Sequence, residues 1–331
     1  MKRLVIYFFY DKDGIVDDYV PYFLDGIRSH CEELCVVVNG SLQEQGREKI
    51  ERKCNTLLIR ENIGFDSWAY KHAIEHYGYE NLKKYDEVIL CNFTFYGPIY
   101  PFSEMFDEMS KRNVDFWGIT KHPAIEASYA GIKIEEHIQS YFLVFRSSIL
   151  KNDSFKKYWE SLQPVTSYEE AVAFHELRAT NYFEELGFKS SCYVNSEKYM
   201  SKLSKIPYFS YSKQQLLEDR NPILKRKIFQ IAEGPHFCYP LEDTNQYELI
   251  CLVKECTNYD SSLIVNCLKR TENIQNFKMV APKKYYKYKF LSYIGWGILK
   301  KNRKKYERVF EEMKMIKNFF TDPKTLGFNF K

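Results

Sequence analysis

The stretch "YDEVILCNFTFYGPIYP", residues 85–101, runs from an apolar segment into a polar loop. Its centre, Val88–Leu90, is short, continuous and rich in β-branched residues, which is typical of a strand buried on both faces. Asn92 and Thr94 follow where the chain leaves that strand. Ligands of open α/β sheets bind beyond the carboxyl ends of the strands. This loop is therefore a candidate binding site if the neighbouring segments complete such a sheet.

Apolar runs alternate with amphipathic, helix-like stretches before this strand. Strands are predicted at residues 3–10, 33–40, 55–60 and 85–92, with helices at 16–31, 43–53 and 67–77 between them. This succession predicts parallel βαβ units in a doubly wound, mostly parallel α/β sheet. Later segments are mixed, with strands at 115–122, 138–150 and 189–194 and helices at 153–162 and 168–186. We expect an α/β domain over residues 1–245 and a helical, basic C-terminal region over residues 246–331.

Composition limits the class of protein. With 331 residues, of which 45% are hydrophobic and 17% aromatic, the chain can bury a sizeable core, and disorder is excluded as its main state. The nine cysteines include no C-x-x-C pair, which favours reduced thiols. The apolar run at the start gives way to charge after a few residues, so no secretory signal is predicted. We expect a cytoplasmic protein.

The last part of the chain is strongly basic. Residues 278–331 carry fifteen Lys and Arg against four Asp and Glu, whereas the whole chain has a net charge of only +4. The segment 283–305 combines interleaved Lys and Tyr with a ten-residue apolar patch, which is too short to span a bilayer. This pattern favours peripheral attachment to an anionic membrane surface rather than binding to nucleic acid. A basic helix packed on the domain would carry the same pattern.

A second polar loop, "RENIGFDSWAYK" at residues 60–71, also follows a predicted strand. Gly64 permits a tight backbone approach, and Asp66 precedes a helix that is predicted to start near Ser67. An Asp at this position is commonly the N-cap of the helix. Alternatively, Asn62 and Asp66 hold the base or ribose of a nucleotide at the ligand edge of the sheet.

Six stretches carry a family resemblance, in this order: "ENIGFDSWAYK", "YDEVILCNFTFYGPIYPFSEMF", "DFWGITKH", "HIQSYFLVF", "HELRATNYFEELGF" and "NPILKRKIF". Together they resemble the rhamnan synthesis protein F family of bacterial glycosyltransferases, from near residue 1 to about residue 245. The resemblance implies a glycosyltransferase A fold, a nucleotide-diphospho-sugar donor and a role in extending a cell-surface polysaccharide such as a capsule or cell-wall glycan. The family label suggests rhamnose from dTDP-rhamnose, with UDP-galactose or UDP-glucose as alternative donors.

The resemblance also raises the question of a metal cofactor. In many enzymes of this fold, an Asp-x-Asp motif after the strand at residues 88–92 coordinates a divalent cation. This chain has Asn92-Phe93-Thr94 there. Amide and hydroxyl groups are poor ligands for hard cations, but they can donate hydrogen bonds to phosphate or sugar oxygens. We therefore expect no required metal, with Mg²⁺ or Mn²⁺ as the unfavoured alternative. Asn92 and Thr94 could instead simply satisfy the backbone of the turn.

Without a metal, side chains must neutralise the diphosphate. Lys225, Arg226 and Lys227 lie in a row in "NPILKRKIF", and both residue types bind phosphate. Three successive side chains cannot face one way, so we expect one or two of them to reach the donor. A solvated basic turn is the alternative interpretation. Lys121 and His122 are further candidates for this role.

The catalytic base is sought among the carboxylates, because inverting sugar transfer needs a group that takes the proton of the acceptor hydroxyl. In inverting transferases a Glu-Asp pair opens a helix that ends eleven residues later in Gly-aromatic. Glu176 stands eleven residues before Gly187, so the resemblance places Glu176 at the catalytic position and His175 at that of its acidic neighbour. His175 is expected to tune Glu176 or to contact the acceptor. A surface carboxylate and a structural histidine are the alternatives.

The stretch "HIQSYFLVF" is expected beside the acceptor. His137, Gln139 and Ser140 are polar at the head of an apolar strand, which suits hydrogen bonding to sugar hydroxyls, and Tyr141 can stack on a sugar face. A buried amide at a strand end would look the same.

These expectations add up to an inverting glycosyltransferase on the inner face of the plasma membrane. It would add a deoxyhexose or hexose to a growing, lipid-linked surface glycan. The rival interpretation is a non-catalytic scaffold subunit that binds glycan, which the missing acidic pair after residue 91 favours.

Overall fold

The computed structural model describes residues 1–199, 212–230 and 246–271. The basic segment 283–305 and its predicted contact with a membrane lie outside the described residues. None of the helices within these ranges is long and apolar enough to cross a bilayer. The cysteines of the same ranges are all free thiols, as expected.

The strands, numbered in chain order, are β1 Arg3–Tyr10, β2 Glu33–Asn39, β3 Thr56–Arg60, β4 Glu87–Asn92, β5 Phe95–Tyr96, β6 Phe116–Gly118, β7 Lys121–His122, β8 Ile125–Tyr129, β9 Ile132–Ile134, β10 His137–Ile138, β11 Phe142–Arg146, β12 Ser190–Cys192 and β13 Leu224–Lys225. Seven of them form one sheet in the order β12-β6-β11-β4-β1-β2-β3. All pairs in this sheet are parallel except those of β11, which runs antiparallel to β4 and β6. The predicted mostly parallel sheet is confirmed.

The α-helices are Tyr19–Arg28, Glu44–Glu51, Phe65–Tyr77, Tyr79–Leu82, Phe102–Ser110, Ser147–Leu150, Asp153–Glu160, Tyr168–Ala171, Leu177–Glu185, Ser212–Leu217, Arg226–Gln230, Gln246–Cys256 and Ser262–Thr271. A π-helical turn, Val172–Glu176, joins two of them, and Ser196–Tyr199 is a 3₁₀ turn. The predicted helix at 168–186 is thus present with a wide turn inside it.

Two apolar cores cover the two faces of the sheet. Alternate side chains of β1 enter each: Val5, Tyr7 and Phe9 face one core, and Leu4, Ile6 and Phe8 face the other. The first core packs helices 19–28 and 102–110, and the second packs helices 65–77 and 153–160. Helices 246–256 and 262–271 also contribute to the first core. They therefore pack on the sheet domain rather than around a core of their own.

The predicted strand at 138–150 is broken in the structure. Gln139–Tyr141 separate β10 from β11, because the Gln139 amide donates to the Thr120 carbonyl and the Ser140 amide donates to Glu176. The β8–β9 hairpin was not predicted; it turns at Ala130 and Gly131, which both have positive φ. Such turns match the twist of paired strands.

A buried ion cluster anchors the start of β4. Glu87 is 1% exposed, and its carboxylate accepts hydrogen bonds from Arg3 Nε at 2.6 Å, Arg146 Nε at 3.1 Å and Trp117 Nε1 at 3.2 Å. The three donors come from different strands of the sheet. Removing the carboxylate would leave two buried guanidinium groups without their counter-ion.

We expect Glu87→Ala to lower the free energy of unfolding by about 3–5 kcal/mol, as is usual when one partner of a buried ion cluster is lost. Urea denaturation of the purified protein measures this change. Glu32→Ala removes an exposed partner of Lys2, and the matched control should change stability by less than about 1 kcal/mol. Equal effects of the two substitutions would contradict a stabilising role for the cluster.

Candidate active site

The two polar loops meet at the carboxyl ends of β3 and β4. Asn92 Nδ2 donates to Asp66 Oδ2 at 3.0 Å. The Asn92 Oδ1 atom accepts from the Thr94 amide at 3.1 Å and from the Thr94 hydroxyl at 2.6 Å. Asn92 therefore satisfies its own turn and also fixes Asp66, while the Thr94 side chain stays partly exposed.

The helix after β3 begins differently from the prediction. Gly64, with φ of 75°, is the N-cap, and the helix starts at Phe65. Asp66 lies in the first turn, where its Oδ1 accepts from the Ser67 amide at 2.9 Å. The prediction that Asp66 caps the helix is wrong, because the left-handed glycine already ends the loop. Asp66 is thereby free to point towards Asn92.

The three residues of this loop that were predicted to bind the nucleotide differ in their surroundings. A Cβ on Gly64 would lie 2.4 Å from Trp68 Cγ, so Trp68 and the positive φ explain the glycine without a ligand. Asn62 is exposed, and its Oδ1 lies 3.5 Å from Asn39 Nδ2. Of these three residues, Asp66 is the one that contacts Asn92 and whose charge interacts with Glu176.

Glu176 projects from the end of the π-helical turn. Its Oε2 accepts from the Ser140 amide at 3.0 Å and from the Ser140 hydroxyl at 2.5 Å, and its Oε1 lies 3.4 Å from His137 Nε2. The side chain remains 21% exposed. Wide π turns occur often at functional sites. No feature of a single sequence marks this turn.

Lys225 brings a positive charge to the two carboxylates. β13 pairs with β5, so that Lys225 stands opposite Phe95, and its ammonium lies 3.4 Å from the centre of the Tyr141 ring. Its charge interacts with Glu176 and Asp66. The neighbouring residues turn away, since Arg226 Nη1 donates to the Tyr19 hydroxyl at 2.8 Å and Lys227 is exposed. The prediction that the three cations cannot all face one way is confirmed.

The three charged groups shift one another's pKa values. Burial would raise the pKa of Glu176, but its contacts with His137, Ser140 and Lys225 hold that pKa well below its ordinary value. Burial raises the pKa of Asp66, and the Glu176 charge adds to this shift. Burial lowers the pKa of Lys225 to about 7, although both carboxylates oppose the change. Such shifts cluster at functional sites.

His175 does not point to the same side of the helix as Glu176. It is buried, its Nδ1 lies 2.7 Å from the Tyr158 hydroxyl, and its ring packs on Trp159. Consecutive side chains of a helical turn point in clearly different directions, in a wide π turn as in an α-helix. The predicted contact of His175 with an acceptor is therefore wrong.

The predicted acceptor residues form the wall behind Glu176. Gln139 is 4% exposed and accepts from the Thr120 hydroxyl at 2.7 Å. The Tyr141 hydroxyl lies 2.5 Å from the same Thr120 oxygen, and Lys225 covers the ring. His137 is buried beside Glu176, and Ser140 hydrogen-bonds it. The prediction of direct acceptor contact is wrong for His137, Gln139 and Tyr141, because their side chains are buried and have partners inside the protein.

Two further candidates for phosphate binding have other partners. Lys121 Nζ lies 2.9 Å from Glu136 Oε1, and the His122 ring stacks on that of His137 at 5.2 Å. Lys121 is thus engaged by Glu136, whereas His122 lies close enough to Glu176 for their charges to interact.

The donor set is a poor fit to a divalent cation. Within the described ranges, no group of three or more His, Cys, Asp and Glu side chains could hold a metal ion. The Lys225 ammonium already interacts with both carboxylates of the site.

A family model matches most of the chain. The model of a family described as "Rhamnan synthesis protein F" matches residues 34–318. "Uncharacterized protein y4gN" of Sinorhizobium fredii is 21% identical over 153 residues, which are 46% of this chain and 38% of that protein. The match thus spans well under half of the length of this curated relative.

Similar solved structures share low identity with this chain. S. aureus TarS 1-349 is 12% identical over 88% of this chain and 79% of that one, with a TM-score of 0.34. A cytidylyltransferase from Leptospira borgpetersenii is 11% identical over 85% and 98%, with a TM-score of 0.38. Core-mannan synthase A from Aspergillus fumigatus, in its Mn/GDP form, is 10% identical over 56% and 69%, with a TM-score of 0.31.

Proposed function

Because the chain belongs to the rhamnan synthesis protein F family of glycosyltransferases, we propose that it is an inverting transferase. It moves a sugar, rhamnose by preference, from a nucleotide-diphospho-sugar to a growing cell-surface polysaccharide. One observation carries this proposal: a chain of contacts at the carboxyl end of β4 links the charged groups. Asn92 holds Asp66 and bonds the Tyr141 carbonyl, Lys225 lies on the Tyr141 ring, and the adjoining Ser140 binds Glu176. Ligands of α/β folds bind at this edge of the sheet.

The leaving group is assigned to Lys225. When the bond between the anomeric carbon and the diphosphate breaks, its electron pair stays on the phosphate oxygen, and negative charge develops there. An ammonium held at that oxygen stabilises the charge, as a metal ion does in other enzymes. The Thr94 hydroxyl, which is partly exposed beside Asn92, can add a hydrogen bond to the donor.

The attacking hydroxyl is assigned to Glu176. The acceptor oxygen bonds to the anomeric carbon on the face opposite the diphosphate, and its proton passes to the Glu176 carboxylate. Glu176 is ionised at physiological pH because its pKa lies below the ordinary value. A base with a low pKa is weak, since efficiency is greatest near the working pH. The donor diphosphate beside Lys225 would raise this pKa, so the base strengthens when the substrate is bound.

The composition of residues 283–305 supports the proposed location and the proposed acceptor. A lipid-linked glycan at the inner face of the plasma membrane would suit a basic segment with interleaved Tyr. UDP-galactose and UDP-glucose remain the alternative donors.

We expect calorimetric titration to show binding of one of dTDP, UDP and GDP in the presence of EDTA. Addition of Mg²⁺ should change its dissociation constant by less than about threefold, because Lys225 already supplies the positive charge. Binding by dTDP would favour rhamnose, and binding by UDP would favour a hexose. A nucleotide that binds only with Mg²⁺ would contradict the role of Lys225. No binding at all would favour the glycan-binding scaffold.

A further inference from the structure

His137 contacts the proposed base, and the reaction described above gives it no role. It is 2% exposed, and its Nδ1 lies 2.7 Å from the Glu135 carbonyl oxygen. A carbonyl oxygen only accepts hydrogen bonds, so Nδ1 carries a hydrogen. The tautomer of the ring is thereby fixed, and Nε2 is the nitrogen that gains or loses a proton.

Nε2 faces a carboxylate. It lies 3.4 Å from Glu176 Oε1, and without a proton its lone pair would be turned towards a negatively charged oxygen. With a proton, the same contact becomes an ion pair between buried groups. The arrangement is therefore favourable only when a proton lies between His137 and Glu176.

The groups around His137 shift its pKa. Burial lowers the pKa of His137, but Glu176, the Glu135 carbonyl and Glu136 together raise it above the ordinary value. The stacked ring of His122 behaves oppositely, since burial and the neighbouring His137 lower its pKa. The pKa values of the two stacked rings are thus shifted in opposite directions, that of His137 towards the charged form, and the Lys225 charge also interacts with Glu176.

The two carboxylate oxygens of Glu176 have different neighbours. Each carboxylate oxygen has two lone pairs. Ser140 donates twice to Oε2, whereas Oε1 has His137 as its neighbour. Among the described residues, Oε1 therefore accepts fewer hydrogen bonds than Oε2, and the Glu176 side chain is 21% exposed.

We propose that His137 is a positioning residue that, as an imidazolium, keeps Glu176 ionised and presents Oε1 to the acceptor hydroxyl. This inference rests on the proposed function, which makes Glu176 the base. It gives His137, which lies 39 positions before Glu176 in the sequence, a defined part in the reaction.

The first test is the pH profile of kcat/KM. His137→Gln keeps a hydrogen-bond donor and removes the charge, so the acidic limb should move up by at least about one pH unit. kcat should fall, with little change in the donor KM. His76→Gln is the matched control, because it makes the same substitution at an exposed histidine near the end of the helix Phe65–Tyr77, and its acidic limb should not move. An unshifted limb in His137→Gln would overturn the proposal.

The second test needs no activity. NMR titration of the full chain should give His137, identified by the signal missing in His137→Gln, a pKa above the ordinary value of about 6.5. Glu176→Gln should lower it, since burial remains while the opposing charge is lost. An unchanged titration would overturn the pairing. A coupled pair in a protein that transfers no sugar from any donor would instead contradict the proposed function.

Discussion

Glu176→Gln is expected to lower kcat for sugar transfer at least about a thousandfold, because an amide of the same size cannot take the proton of the acceptor hydroxyl. The substitution should leave the fold intact, since Gln can still accept from Ser140, which makes two hydrogen bonds to the carboxylate. Transfer of labelled sugar at saturating donor and acceptor measures the change.

Donor binding should survive the same substitution. Glu176 is one of two carboxylates that raise the pKa of Lys225, so its loss removes repulsion of an anionic donor but also makes Lys225 easier to deprotonate. Calorimetry at the acidic end of the assay range, where Lys225 keeps its proton, should therefore show equal or tighter binding. Glu169→Gln is the control, because Glu169 is exposed at the start of the same helical stretch. It should transfer sugar at the wild-type rate.

A kcat within about tenfold of the wild type would contradict the role of Glu176 as base. The alternative would be Asp66, whose pKa is raised by burial and by the charge of Glu176. Asp66→Asn, assayed beside Glu176→Gln, distinguishes the two carboxylates. If Glu176 is the base, Asp66→Asn should mainly weaken donor binding, because it disturbs Lys225 and Asn92.

The sheet was predictable because burial on both faces leaves a local signal. β1, β2 and β4 are continuous apolar runs, and the structure places them within two residues of the predicted bounds. The β8–β9 hairpin was missed, since its short strands are partly exposed and lack such a run. The break between β10 and β11 was missed because it depends on the contact of Ser140 with Glu176, which is distant in sequence.

The site was predictable in part. The resemblance, through the spacing to Gly187, pointed to Glu176, and the expected sheet edge pointed to Asp66 and Asn92, which the structure joins by a hydrogen bond. The orientation of each side chain was not predictable, because it is set by tertiary contacts. Pairing of β13 with β5 selects Lys225 over Arg226, and the helical turn directs His175 into the core. The burial of Gln139 follows from its hydrogen bond to Thr120, which no local pattern reveals.

Lys225→Gln is expected to weaken binding of the nucleotide-diphospho-sugar by about 30-fold or more, as truncation of a partly buried charge partner typically costs 2 kcal/mol or more. kcat should also fall, because the charge of the leaving diphosphate loses its counter-ion. Lys227→Gln removes the same charge two residues away on an exposed side chain. This matched control should change the dissociation constant by less than about threefold.

The affinity of the wild type should depend on pH through the same residue. Burial lowers the pKa of Lys225 in the free protein to about 7, and a bound diphosphate favours the protonated form, so binding takes up a proton above that pH. Below about pH 7 the affinity should be constant, and above it the affinity should fall by up to about tenfold per pH unit. A nucleotide-diphospho-sugar suits this measurement because its diphosphate does not titrate in the range.

Lys225→Gln should bind weakly and independently of pH. A wild type with flat affinity from pH 6 to 9, or a Lys225→Gln variant that binds as tightly, would mean that another cation holds the donor.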